Sequence, residues 1–194
     1  ERGVRRGKRI AEYLRKHGVS IENGTVVEIG AGPGGILKVF ADQGNTVVGC
    51  DLDKNCIDLG KANGIQVLCG GIESVLSVTP SCDLVILSHI LHIVPNPVEM
   101  LRQISSMLKD DGHIFVEVPS IERIGADLHR ELQISHLYYF DQETLQMTFR
   151  LAGFDFQVAN ESIMAIATKT EVTESIPDGN YEKNMSILPP MTES

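Results

Sequence analysis

The 194-residue chain has no run of about 18 apolar residues, so nothing in it reads as a membrane span. No signal peptide is visible either. The chain also lacks a broad basic face: 17 Lys and Arg stand against 26 Asp and Glu, a formal net charge of -9. An acidic body argues against a general nucleic-acid binder, because counterion release needs many cations on one surface. The imbalance is uneven, since residues 1–17 carry seven Lys/Arg against two Glu and the remainder therefore carries -14. That basic stretch reads first as a solvated helix face, with an anionic substrate as the sharper alternative. Cys50, Cys56, Cys69 and Cys82 lie at no CxxC or zinc-ligand spacing, so no metal site is expected, and a reducing, cytoplasmic setting is the simple inference. Internal repeats are absent, and nothing in the sequence sets an oligomeric state.

What remains is a chain 42% hydrophobic and 22% charged, enough for one medium-sized domain with a substantial core. Residues 4–17 place Val4, Ile10, Tyr13 and Leu14 near one helical face, with Gly18 as a stop. From Thr25 short β-branched runs alternate with helical stretches: TVVEI, GGILKVFADQG, TVVGC, KNCIDLGKANG, IQVLC, CDLVILS, PVEMLRQISSMLKDDG and HIFVEVP. Such runs, with little polar alternation, suit strands covered on both faces, and the helices between them make parallel crossovers. This predicts an α/β, Rossmann-like doubly wound sheet of seven strands, mostly parallel, with helices on both faces.

The rhythm breaks after Pro119. Residues 120–140 are mixed and end in LYYF, then DQETLQMTFRLAGF forms a helix capped by Asp141 and stopped by Gly153. FDFQVAN and IMAIATK around ES read as a C-terminal antiparallel hairpin. Residues 170–194, rich in Thr, Glu, Ser and Pro without a period, read as a flexible tail or linker.

The stretch VVEIGAGPGG, Val26 to Gly35, admits two ligands. Gly30, Gly32 and Gly35 satisfy GxGxxG, the pyrophosphate-binding turn of dinucleotide enzymes. Glu28 does not suit a diphosphate, since a carboxylate at that strand end repels phosphate and costs desolvation. It suits a ligand that carries an ammonium and a sulfonium.

With Glu28, Gly30, Gly32 and Gly34 in E/DxGxGxG positions, the run resembles motif I of the class I S-adenosylmethionine-dependent methyltransferases. The later segments CDLVILSHILHIVPNP, EVPS and SHLYYFDQETLQMTFRLAGF resemble the small-molecule and sugar methyltransferases of that family, over roughly residues 22–168. The resemblance implies S-adenosyl-L-methionine as cofactor, a small-molecule acceptor, and a domain over 22–169 with an acceptor-pocket insert at 120–140. The helix of residues 1–21 would pack on or over the cofactor site. Glu28 would hold the methionyl end, with Gly30, Ala31 and Gly32 beneath it. Asp51, twenty-one residues after Gly30, would accept from the ribose hydroxyls, as it would in a nicotinamide enzyme. Leu52, Gly71, Ile72, Ser88 and His89 complete the expected cofactor contacts. The chain departs from the family in two places. His92-Ile93 replaces the usual Glu-His pair, and Gly71-Ile72 stands where an acidic residue often contacts adenine, a role Glu73 would take over.

Methyl transfer from a sulfonium is an in-line displacement that demands alignment and a nucleophile without a spare proton. A hydroxyl acceptor calls for a general base, for which histidine is suited. His136, in SHLYYF, and His92 are the catalytic candidates; a structural role competes for His136 and a surface loop position for His92. Tyr138 and Tyr139 are candidate acceptor-pocket walls, with packing of the last helix as the alternative. Two other functions stand beside methyl transfer: a catalytically silent cofactor-binding module of a larger biosynthetic protein, and a nicotinamide or flavin oxidoreductase, which Glu28 disfavours.

Overall fold

In a computed structural model, which describes residues 1–123, 133–160 and 163–171, each predicted apolar run becomes a strand. The strands are β1 (Thr25–Ile29), β2 (Thr46–Asp51), β3 (Val67–Cys69), β4 (Cys82–Ser88), β5 (Leu108–Glu117), β6 (Phe154–Ala159) and β7 (Met164–Lys169). They form one sheet in the order β3-β2-β1-β4-β5-β7-β6. The first five are mutually parallel, while β7 runs antiparallel to both β5 and β6. Strand order reverses between β1 and β4, which opens a crevice at their carboxyl ends.

Alternation along the strands feeds two cores. Val26, Leu84, Ile86 and Phe115 pack beneath α1 (Arg2–Lys16), α2 (Gly35–Asp42) and α3 (Lys54–Ala62), meeting Ile10, Leu14, Leu37, Phe40 and Ile57. Val27, Val85, Leu87 and Val116 face the other way, against α4 (Ile72–Leu76), α5 (Pro97–Met107) and α6 (Gln142–Arg150), where Leu101, Ile104, Leu145 and Phe149 are buried. Each such aliphatic side chain contributes about 1.5–3 kcal/mol on leaving water. Phe140, the third ring of the YYF run, is the one that enters this core.

Helix α1 covers 2–16 and closes on α2 through small residues. A Cβ on Gly7 would stand 2.9 Å from Val39 Cγ2 and 3.0 Å from Ile36 Cα, and one on Gly35 would meet Gly3 Cα at 2.8 Å. The expected Asp141 cap forms, as a reciprocal capping box with Thr144, and Asp53 caps α3 by accepting from Asn55 N.

Two boundaries shift. Helix α5 stops at Met107 rather than running to Gly112, because Leu108 pairs with Cys82 in the sheet and Lys109 reaches Asp83 at 2.7 Å. The third strand begins at Val67, since the Ile65 amide closes α3 on Gly60 O and its side chain packs under Gly34. Residues 124–132 of the expected insert, Glu161–Ser162 of the hairpin turn and residues 172–194 of the expected tail lie outside the described residues. No helix among the described residues is long and apolar enough to cross a membrane.

Candidate functional site

The glycine loop leaves β1 at the sheet's reversal point and is pinned to β2 by the Gly30 and Ala31 amides, both 2.9 Å from Cys50 O. Gly30, Gly32 and Gly34 have φ of +70°, +53° and +72°, the left-handed region that side chains disfavour. Gly35 has no such conformation and serves the α1–α2 contact. The three left-handed glycines thus fall at the alternate spacing that starts from Glu28. A Cβ on Gly32 would project into open space, so the loop presents bare backbone there.

That space is a cavity of about 640 Å³ lined by Glu28, Gly30, Gly32, Gly34 and Ser88, with Arg2 and Arg6 of α1 on its wall. A second hollow, about 670 Å³, lies between α1, α2 and residues 19–23 at the amino end of β1, away from the strand tips where ligands bind in such sheets. Glu28 is 2% exposed and its Oε2 has no hydrogen-bond partner. Burial holds its carboxyl well above the ordinary carboxylate range; Arg6 and the Leu37 amide oppose this, and Asp51 adds to it.

At the tip of β2, Asp51 Oδ2 accepts from Gly32 N at 2.7 Å and Oδ1 from Asp53 N at 2.9 Å, so one carboxylate ties the glycine loop to the β2–α3 turn. Leu52 is 81% exposed beside it. Gly71 caps α4 and its amide donates to Glu73 Oε1 at 2.9 Å, whereas Ile72 is buried in the core with only 5% exposed.

The sequence candidates His89, His92 and His136 come together beyond β4. His92 and His136 have ring centroids 4.3 Å apart at 82°, and His89 lies 6.1 Å from His92. The expected surface position of His92 is corrected: the residue is 2% exposed. A short 3-10 turn, Leu91–Ile93, folds inward, and the Leu137 and Tyr138 amides close over it by donating to His92 O at 2.9 and 3.1 Å. Burial first, then His136 and His89, push the His92 imidazole down to about 4. Tyr138 Oη donates to Pro95 O at 2.8 Å and its ring stacks on Phe140, while Tyr139 Oη accepts from Gln133 N and its ring lies 5.4 Å from His136.

Glu117, at the tip of β5, was not a sequence candidate. Its carboxylate takes both bonds from Arg9 Nη2, at 2.6 and 2.8 Å, accepts from Ser88 Oγ at 3.3 Å and stands 3.7 Å from His89 Nε2. The His89 amide donates to Glu117 O, and His89 adopts φ +59°. Arg9 therefore departs from the solvated face expected of α1. The available signal was the same as for Glu28, a carboxylate inside an apolar strand. Among the described residues no group of His, Cys, Asp and Glu is arranged to hold a metal ion.

The fold and this crevice define the class I S-adenosylmethionine-dependent methyltransferase architecture. The fold is shared with a SAM-dependent methyltransferase from Archaeoglobus fulgidus, at TM-score 0.62 and 22% identity over 80% of this chain and 75% of that one. It is shared also with the 1,6-didemethyltoxoflavin-N1-methyltransferase of Burkholderia thailandensis, solved with S-adenosylhomocysteine, at TM-score 0.64 and 18% identity over 87% and 79%. A family profile described as "Methyltransferase domain" matches residues 4–158, and the chain belongs to that family. Among curated relatives, the ubiquinone biosynthesis O-methyltransferase of Coxiella burnetii is 24% identical over 110 residues, 54% of this chain and 47% of the relative. The C-methyltransferase NovU of Streptomyces niveus is 28% identical over 134 residues, 66% and 32%. The chain thus spans about half or less of the length of the curated relatives it matches.

Proposed function

We propose that this chain transfers a methyl group from S-adenosylmethionine to a small-molecule acceptor, a sugar or related metabolite. The observation that carries the reading is Glu28: a buried carboxylate oxygen without a partner, facing a cavity walled by bare glycine backbone. That socket fits the ammonium of a methionyl group and repels the diphosphate of NAD or FAD. S-adenosylmethionine supplies the methyl group when bound. Glu28 accepts from the methionyl ammonium, the Gly30–Gly32 backbone lies beneath it, and Asp51 accepts from the ribose hydroxyls. Ser88 and His89 border the same crevice, and Leu52, Gly71 and Ile72 border the adenine, with Glu73 available to its edge.

His136 takes the acceptor's proton where the acceptor is a hydroxyl, and Tyr138 and Tyr139 wall the acceptor side. Residues 22–169 act as the cofactor-binding unit, with the 120–140 segment on the acceptor side. Helix α1 covers the cofactor site, which Arg6 on the cavity wall supports. The acidic body supports a small molecule over a nucleic acid as partner, and the free cysteines support a reducing, cytoplasmic setting.

Calorimetric titration with S-adenosylhomocysteine, NADH and FAD tests this. Binding of S-adenosylhomocysteine alone is expected; no binding of it at millimolar concentration, with binding of either dinucleotide, overturns the reading. With an acceptor in hand, His136→Ala is expected to lower turnover about 10²–10⁴-fold while cofactor affinity holds. Full activity in that variant removes His136 from the mechanism.

A further inference from the structure

Glu117 ends an apolar strand and is only 8% exposed, so its charge costs desolvation unless partners meet it. Partners come from two elements. Arg9 Nη2 of α1 donates to both carboxylate oxygens, Ser88 Oγ at the tip of β4 donates to Oε2, and His89 Nε2, one residue further on, stands 3.7 Å from Oε2. The backbone is fastened there as well: the His89 amide donates to Glu117 O at 2.8 Å, and His89 keeps a left-handed conformation that is uncommon outside glycine.

These partners stand on the two walls of one crevice. Arg2, Arg6 and Arg9 recur at i, i+4 and i+7 and so share a face of α1; the first two line the cavity beside Glu28, and the third reaches β5. Farther along α1, Ile10 and Leu14 are buried and Tyr13 Oη donates to Met164 O, which anchors that end on the sheet. The cavity end rests on Gly3 and Gly7 against α2, with the Arg9 ion pair next to it. On the opposite wall, Ser88 lines the same cavity and His89 leads to His92, 6.1 Å away.

We propose that Glu117 is a positioning residue that sets these two walls against each other: it seats α1 over the cofactor through Arg9 and holds His89 on the acceptor side. This role rests on the methyltransferase reading above, in which α1 covers the cofactor and the acceptor lies by the histidines. Displacement at a sulfonium needs donor and acceptor in line, so a tie between the walls that hold each of them bears on that alignment. Glu117 is not on the cavity wall and acts through Arg9, Ser88 and His89.

The same carboxylate sets the charge around His89. Burial holds the His89 imidazole below its ordinary value; Glu117 opposes this, while Arg6, Arg9 and His136 add to it. Loss of the carboxylate and loss of the guanidinium therefore push His89 in opposite directions, although both release α1.

Two variants of the full chain read this out. Glu117→Gln keeps shape and an acceptor oxygen but removes the charge, and Arg9→Met changes a side chain that is 48% exposed. Hydrogen exchange without ligand is expected to speed up at the amides of residues 5–9 in both. NMR titration of the His89 ring is expected to move down in Glu117→Gln and up in Arg9→Met, a divergence that a merely structural loss does not produce. Calorimetric affinity for S-adenosylhomocysteine is expected to fall about 2- to 5-fold in both. Unchanged α1 exchange, unchanged affinity, or a His89 titration that does not diverge overturns the proposal. Should Glu117→Gln not fold, Arg9→Met carries the test, and a His89 titration that fails to rise overturns it. Failure of the wild type to bind S-adenosylhomocysteine counts against the cofactor reading, while exchange and titration, which need no ligand, judge the tie separately.

Discussion

Glu28→Gln separates what the buried carboxylate does for folding from what it does for the ligand. The substitution keeps shape and an acceptor oxygen for the Leu37 amide but removes the charge. In the wild type, burial raises the folded carboxyl above its ordinary value. A group raised in the folded state stabilises fully below its unfolded value, and that contribution is lost as pH climbs through the folded value. The ligand-free wild type should therefore lose stability from the ordinary carboxylate range upward. The Glu28→Gln variant lacks that component and should melt higher than wild type at pH 8. Binding should move the other way: one charge-assisted hydrogen bond to an ammonium is worth about 1.5–3 kcal/mol, so affinity for S-adenosylhomocysteine should fall about 10- to 100-fold. Thermal melts at pH 5 and 8 and calorimetry at pH 8 measure both. Unchanged affinity, or a variant less stable than wild type at pH 8, refutes the assignment of Glu28 as a socket for a cation.

Three further outcomes are expected. Asp51→Ala should weaken S-adenosylhomocysteine binding by about 1–3 kcal/mol, because the ribose acceptor and the tie to Gly32 N are lost together; equal calorimetric affinity rejects that role. Gly7→Val places side-chain atoms where even a Cβ stands 2.9 Å from Val39 Cγ2, so overpacking should cost about 1–3 kcal/mol and lower the melting point by about 2–4 °C per kcal/mol. An unshifted melt means that α1 does not close on α2 there. His92 is held down to about 4 from an ordinary 6.5, so its contribution is present above pH 6.5 and lost as pH falls toward 4, up to about 3 kcal/mol in all. Urea denaturation across that range should therefore be steeper in pH for wild type than for His92→Asn, and parallel curves would contradict the burial of this ring.

Most of the architecture was legible because strand and helix periods are local properties of the chain. The β-branched runs from Thr25 to Cys50 needed only coverage on both faces, and Asp141 and Gly153 marked helix ends through their own backbone chemistry. Glu28 was legible for a related reason: a charge inside an apolar strand conflicts with its immediate neighbours whatever the fold. The end of α5 was not, since Leu108 leaves the helix to pair with Cys82, a partner 26 positions earlier in the sequence.

The sequence by itself determined the sheet, the glycine loop and the sign of the charge beneath it, because each follows from residues adjacent along the chain. Only the tertiary structure decided that Gly35 serves helix packing, that Arg9 reaches Glu117, and that a buried His92 lies against His136. Those relations join residues 32, 108 and 44 positions apart, and no local pattern encodes a contact whose geometry is set by how the helices and loops pack on the sheet.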